Sequence, residues 1–575
     1  MQLFFRPIEK KFEGEGILPH GNFNNTEEWK PLIHYLEKGA IDFPHHIMFK
    51  MGDSDGVIQE SYTYQNTNSN SNKIANYLIN NCKIIKEDKV GIFMLNCAEF
   101  VFSILAIHKT GAIQVPINKD EKGDRLAYVV NYSEMKILMI DETAIELLSP
   151  IADKFEKLEK IFICGNKDNI PDKIGQIPCE KFEKFYASDD SNPEIELSIK
   201  DKERCMFTSG TTGMPKGVVR EHGGVLMTVR SYIQHQGIKN KDVLMSVLSL
   251  GHANAQAMCL FAAIGAGATA VFFPKFSASN FWKWAHDCEA TATNFLGAVA
   301  EYLWSAKPSE YDNKHNVRIV LAGPAPRNII DFEKRFNVKI IEGYGSTEMG
   351  MPLWKSPEDP RVGSCGYQVE GYYLEIRNPE KINEVIRPHW DPGESKAPPE
   401  SAKGLLFIRP NVPNTTLNEY FKDERRTREA FDDDGFFNSD DVFAAGTDGR
   451  YYFIGRYSRL RVSGENVDPT AVADLALMYP SIQDAIAVGV RLPDISDDEL
   501  KLNIILKQGI DFNPKDFCTW MADKAIIAMV PRFIEIYSDG FPVTATQKVK
   551  VAELKEITDK TWDRAKEGLK FSARK

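Results

Sequence analysis

A chain of 575 residues exceeds what one hydrophobic core organises, so two or more units are expected. Its 43% hydrophobic and 26% charged residues are ordinary for a water-soluble globular protein. The formal charge of −11 argues against a general affinity for nucleic acid, which needs a basic face to displace phosphate counterions; a nucleotide partner would be a small molecule.

The opening MQLFFRPIEKKFEG has only a short apolar patch before Arg6, far short of a secretion-signal core, and the expected location is the cytoplasm. Nine cysteines (82, 97, 164, 179, 205, 259, 288, 365 and 518) lie apart, with no C-x-x-C pair and no His placed to suggest a zinc cage. They read as reduced, mostly buried thiols rather than a zinc cage. The uncharged run AMCLFAAIGAGATAVFF (257–273) approaches the roughly 20 residues that span a bilayer. Gly265-Ala266-Gly267 and Pro274 break it into a short buried helix, a turn and a buried strand, so no transmembrane segment is expected.

In chain order, NTNSNSN (66–72) reads as the lead-in to a helix. Between 89 and 140, KVGIFML, AIQVPIN and EMKILMID are strands separated by the helical AEFVFSILAIHKTG and a polar helix, a rhythm that implies parallel pairing. DVLMSVLSL, ATAVFFP, ATATNFLG, VRIVLAG and FNVKIIEGYG continue it, which suggests two related sheets with ligands off the carboxyl ends of the strands. Residues 378–404, rich in Pro and charge, read as a solvent-exposed excursion. Antiparallel strands follow in LLFIRP, GFFNSDDVFAAGTDGRYYFIGR and RLRVSGENV. A final α+β unit holds helices near ADLALMYP and NPKDFCTWMADKAI and strands IQDAIAVGV, KLNIILK and RFIEIYS.

FTSGTTGMPKG (207–217) collects anion-holding groups: hydroxyls on Thr208, Ser209, Thr211 and Thr212, free backbone at Gly210 and Gly213, and the point charge of Lys216. Gly217 follows the lysine where a Walker loop has Ser or Thr, so that loop is excluded. The bland alternative, a flexible surface loop, is disfavoured by the Pro-Lys-Gly ending and the basic segment after it.

With its neighbours, this loop resembles the adenylate-forming superfamily of acyl-CoA synthetases, peptide-synthetase adenylation domains and luciferases. TSGTTGMPKG matches the superfamily's phosphate loop, and LSLGHANAQ (248–256), AGPAP (322–326), EGYGSTEMG (342–350) and PVTATQKVK (542–550) follow in the superfamily's order. The GENV and FSASNFWKW segments most resemble the carnitine/crotonobetaine-CoA ligase and fatty-acid-transport-protein branch. The resemblance implies an α/β protein: residues 1–456 as a large N-terminal domain of layered sheets with a β-rich subdomain, and 457–575 as a small mobile α+β domain.

It also implies roles. Thr208, Ser209, Gly210, Thr211, Thr212, Gly213 and Lys216 would hold ATP phosphates. Gly323, Pro324, Gly343, Tyr344, Gly345, Asp441 and Arg456 would hold adenine and ribose, with Asp441 accepting both ribose hydroxyls. Thr347 would meet the α-phosphate and Glu348 would ligate Mg²⁺. On residues alone, Ser346 or Thr347 followed by Glu348 equally suits a helix cap. His252, Gly297 and Ala322 would form the acyl pocket, although a lone His is more often structural. Gly464, Glu465 and Asn466 would face coenzyme A, and Lys548 of the mobile domain would stabilise charge as a carboxylate attacks phosphorus. Read bare, Lys548 is an exposed strand lysine.

Three departures stand out: Asp440 and Gln547 each replace a usual Gly, and the segment from Arg456 to Gly464 lacks the usual hinge acid and is one residue short. The implied activity is AMP-forming acyl-CoA synthesis from a small carboxylic acid, with ATP, Mg²⁺ and coenzyme A, in a homodimer. The alternatives are acyl delivery to a carrier protein or amine, and a nucleotide-binding regulator without catalysis.

Overall fold

The computed structural model describes Leu18 and residues 28–165, 170–208, 215–326, 328–395, 397–456, 460–493, 495, 497–507, 509–538, 540–542 and 551–571, without the side chains of 456, 466, 470, 551 and 552. Two large sheets dominate. The first runs Leu417–Tyr420, Lys216–Glu221, Lys202–Thr208, Ile113–Pro116, Lys89–Phe93, Ile137–Asp141, Lys160–Cys164, Ile177–Lys181, Lys173–Ile174. The second runs Lys339–Ile341, Ile319–Gly323, Ala292–Leu296, Val243–Ser246, Thr269–Phe272, Ile47–Gly52, Ile58–Thr63. The strands expected between 89 and 140, and those from 243 to 341, pair in parallel as their alternation with helices predicts.

Period-two alternation assigns each strand's faces. Val90 and Ile92 of one sheet and Leu244, Ile319 and Leu321 of the other join one central core, while Leu138 and Ile140 or Met245, Val271 and Val320 face outer cores. Helices Ala98–Thr110 and His222–Gln236 lie in the central layer and are buried nearly all round, as a helix between two sheets must be. The run 257–273 is also buried there as helix, a Gly267 turn in the left-handed region, and strand Thr269–Phe272. No described helix is long and apolar enough to cross a membrane.

Two local expectations change. NTNSNSN lies inside the helix Tyr64–Asn80, which starts at Tyr64 because the Thr63 hydroxyl accepts the Asn66 N–H. Two of the helix's asparagines face a loop: the Asn72 amide donates to Asp190 O and the Asn76 amide to Asp189 O and Ser191 O. The excursion at 378–404 is largely exposed, but Trp390 is buried against Tyr452 and pins its middle.

Lys403–Pro410, Phe437–Ala445 and Tyr451–Arg456 pair antiparallel as expected and are joined by Tyr372–Asn378 and by Lys381–Val385, a strand inside the segment read as an excursion, whereas RLRVSGENV forms a separate two-stranded hairpin. Beyond it, helices Pro469–Leu477 and Pro514–Lys524 pack on Ile482–Val490, Glu499–Leu506, Phe533–Ile536 and Trp562–Asp563 around a core of their own.

Candidate functional site

Strand Lys202–Thr208 turns back antiparallel into Lys216–Glu221, so the expected phosphate loop is the tip of a hairpin; Ser209, Gly210, Thr211, Thr212 and Gly213 themselves lie outside the described residues. Its two flanks are described. The Thr208 hydroxyl is buried with no hydrogen-bond partner among the described residues, a polar atom that an arriving ligand oxygen would satisfy. The Lys216 ammonium is buried and donates to Glu348 Oε1 at 2.9 Å and Tyr420 Oη at 3.0 Å. The Tyr420 hydroxyl donates in turn to Glu348 Oε1 at 3.1 Å.

Glu348 reaches this lysine because EGYGSTEMG is a hairpin and not a helix start. Gly343–Ser346 pairs with Gly350–Trp354, and Ser346 Oγ accepts the Met349 N–H across the turn. The cap alternative is therefore overturned. The expected purine-facing glycines have an internal reason as well: a Cβ on Gly345 would lie 2.2 Å from Gly350 O, and one on Gly343 would lie 2.8 Å from the Trp354 ring. Thr347 sits at the hairpin tip, its carbonyl accepting from Arg220 Nη1 at 2.9 Å. Arg220 Nη2 donates to Thr415 O at 2.9 Å, so one guanidinium ties the 347 turn to the loop before strand Leu417–Tyr420. Burial pushes this guanidinium down to about 10.

Tyr344 leans on Phe443, and its hydroxyl donates to the buried Asp441 carboxylate. Asp441 pairs across the sheet with Arg456, which brings two of the expected nucleotide residues side by side, though the Arg456 side chain is not described. Asp440, where the superfamily has Gly, holds φ of 60°, a left-handed conformation that explains the usual glycine. Gly323 ends strand Ile319–Gly323 with open space where a Cβ would stand, and Pro324 follows.

The expected acyl residues gather at the carboxyl ends of the second sheet. Gly297 begins helix Gly297–Ser305 directly after strand Ala292–Leu296. Ala322 belongs to the buried layer of Phe295, Ala300 and Ile329. His252 is half-exposed: its Nε2 lies 3.3 Å from Asn118 Nδ2 and 3.6 Å from Glu465 Oε1. Glu465 comes from the small unit, in a hairpin of Leu460–Val462 and Glu465–Val467 whose backbone includes Asn466. Gly464 at its turn has φ of 83°, and a Cβ there would stand 3.0 Å from Leu296 Cδ1. The hairpin of the small unit thus docks against Leu296 and His252 of the large one. Burial, then Glu465, raises the Asp120 carboxyl beside it. Lys548 lies outside the described residues.

Four residues at this site have no motif to announce them. Tyr420 and Arg220 act across about 200 and 130 positions of sequence. Asn96 holds the histidine loop, its amide donating to Leu248 O at 2.8 Å and Phe273 O at 3.0 Å, and its oxygen accepting the Leu250 N–H at 2.8 Å. Buried Asp497 accepts the Gly464 N–H and fixes the docking turn.

This arrangement agrees with what the chain is similar to. Crotonobetaine/carnitine–CoA ligase of Salmonella typhimurium is 26% identical over 546 residues, 93% of this chain and 99% of that one. The Proteus mirabilis protein of the same name is 27% identical over 542 residues, 92% and 98%. Among solved structures, the amide bond synthetase of Marinactinospora thermotolerans matches with a TM-score of 0.76 at 18% identity, covering 92% of this chain and 99% of its own. A Bacillus subtilis o-succinylbenzoate CoA synthetase bound with its product analogue matches with 0.73 at 19% identity, covering 92% and 98%. The model of the AMP-binding enzyme family matches residues 37–394, more than half of the sequence, and the chain belongs to that family.

Proposed function

We propose that this enzyme is an AMP-forming acid–thiol ligase that activates a small carboxylic acid with ATP and passes the acyl group to coenzyme A. The observation that carries the reading is the docking of Gly464 and Glu465 against Leu296 and His252, because it brings the small unit to the acyl end while Lys216, Glu348 and Asp441 line the nucleotide end.

In this reading residues 1–456 bind both substrates and 457–575 move. The acid's carboxylate oxygen attacks the α-phosphorus, the bond to the bridging oxygen breaks, and pyrophosphate leaves from the loop flanked by Thr208 and Lys216. Asp441 accepts the ribose hydroxyls while Tyr344 holds its other side, and Lys548 is carried in to offset charge on the attacked phosphoryl group. Mg²⁺ fits the carboxylate of Glu348, an oxygen donor beside the phosphate loop, and would supply charge neutralisation there. The small unit then presents the hairpin of Gly464, Glu465 and Asn466; the thiol sulfur attacks the acyl carbon and AMP departs with the bonding pair. The relatives' names put crotonobetaine and carnitine first among acids to try.

The test is acid-dependent ATP/pyrophosphate exchange over a panel of carboxylic acids, followed by addition of coenzyme A. Exchange with thioester formation is expected. Exchange without thioester would point to an amine or carrier acceptor, and no exchange with any acid would overturn the enzyme reading. Lys548→Ala should abolish exchange while leaving ATP binding intact.

A further inference from the structure

We infer that Met94, Cys97 and Cys164 form a binding site for a soft, thiophilic monovalent cation of the Cu(I) class. The three residues come from different elements: Met94 follows strand Lys89–Phe93, Cys97 caps helix Ala98–Thr110, and Cys164 ends strand Lys160–Cys164. A parallel sheet delivers all its strand ends to one edge, which is why cysteines 67 positions apart meet there.

Met94 Sδ lies 3.9 Å from Cys97 Sγ and 4.0 Å from Cys164 Sγ. A trigonal set of sulfurs, each about 2.3 Å from a central ion, has its sulfurs about 4.0 Å apart, which the two thioether–thiol distances match, while the two thiols lie within 4.8 Å of each other. Two thiolates and a thioether are the soft donors that select Cu(I), whereas calcium and magnesium require oxygen. The Glu99 carboxylate lies within 4.8 Å of the two thiols, at the rim of the three-sulfur set. Met94 and Cys164 are buried while Cys97 and Glu99 are partly open, which leaves an approach from solvent.

Binding balances as one Cu⁺ and two thiols giving a bis-thiolate complex of charge −1 and two released protons. The field of that charge reaches the Lys119 ammonium, itself held 3.2 Å from Asp141. The site stands one residue from Asn96, which fixes the loop carrying His252.

Full-length protein, reduced with ascorbate under anaerobic conditions, is titrated with Cu(I) against bathocuproine disulfonate. One equivalent should be retained. Cys97→Ser and Cys164→Ser should each abolish retention, Met94→Leu should weaken it at least about tenfold, and Cys82→Ser should leave it unchanged. Retention that survives Cys97→Ser, or none in the unaltered protein, overturns the site. Zinc held as tightly as copper, and indifferent to Met94→Leu, overturns the trigonal sulfur set. Should Cys164→Ser fail to fold, copper K-edge absorption of the unaltered protein decides: a shell of three sulfurs is expected, and a shell of nitrogen or oxygen refutes it.

Discussion

Tyr420→Phe removes one oxygen from the centre of the nucleotide end and leaves the rest of the side chain in place. The phenol of Tyr420 accepts from Lys216 at 3.0 Å and donates to Glu348 at 3.1 Å, and its ring lies 4.2 Å from the same ammonium. Phenylalanine preserves the ring contact, so core packing is retained. Both lost hydrogen bonds go to charged groups that are almost fully buried, where each contributes about 1.5–3 kcal/mol. The direct Lys216–Glu348 contact at 2.9 Å survives and compensates in part, so a net loss near one such bond, about 1.5–3 kcal/mol, is the working figure. If the hydroxyl aims these groups at the phosphates and metal, that loss appears as a fall of about 10- to 150-fold in kcat/KM for Mg·ATP. The assay is pyrophosphate exchange at saturating acid with Mg·ATP varied, alongside a thermal melt. A variant that melts lower but keeps kcat/KM for Mg·ATP would make Tyr420 a structural strut and refute the reasoning.

Asp440→Gly should raise the denaturation midpoint, since glycine relieves about 1 kcal/mol of strain at φ of 60°; an unchanged or lower midpoint would show that the aspartate's contacts outweigh its backbone cost. Burial, then His108, pushes His222 down to about 3, so between pH 6.5 and 3 only the unfolded chain carries its proton. Stability therefore falls as pH drops through this window, by up to about 1.4 kcal/mol per unit, and His222→Gln should flatten the urea midpoint between pH 6.5 and 5 relative to the unaltered protein. Gly464→Ala forces a side chain into φ of 83° and against Leu296, so thioester formation should fall several-fold while pyrophosphate exchange stays near its original rate; equal losses in both would separate the hairpin from the thiol step.

The parallel strands and the buried 257–273 run were legible because hydrophobic period and glycine punctuation are local signals. Asp441 and Glu348 were singled out by motif order, and the fold sets each beside a partner, Tyr344 and Lys216, while their roles rest on the proposal. What stayed hidden depends on chain reversals. Tyr420 enters the site only because Leu417–Tyr420 adds to the edge of a sheet beside Lys216–Glu221, an antiparallel pairing no local pattern encodes. NTNSNSN reads as a lead-in because its composition is that of a loop, whereas it lies within the helix and its Asn72, with Asn76 one turn on, satisfies backbone carbonyls of the 189–191 loop. The sulfur cluster was invisible for the same reason as Tyr420, since spacing rules for metal sites assume ligands near one another in sequence.

The same logic explains why the docking hairpin tolerates an unusual linker before it. Gly464 and the Arg461 N–H are held by Asp497 and Asp498, both within the small unit, and Val462 and Val467 are part of that unit's own core. The shape of the turn that meets Leu296 and His252 is therefore set from behind by a buried carboxylate. A shortened segment ahead of it changes where the unit can swing but not what it presents on arrival. In the proposed cycle, loss of the hinge acid then acts on the rate of exchange between the two half-reactions rather than on the hairpin's own geometry.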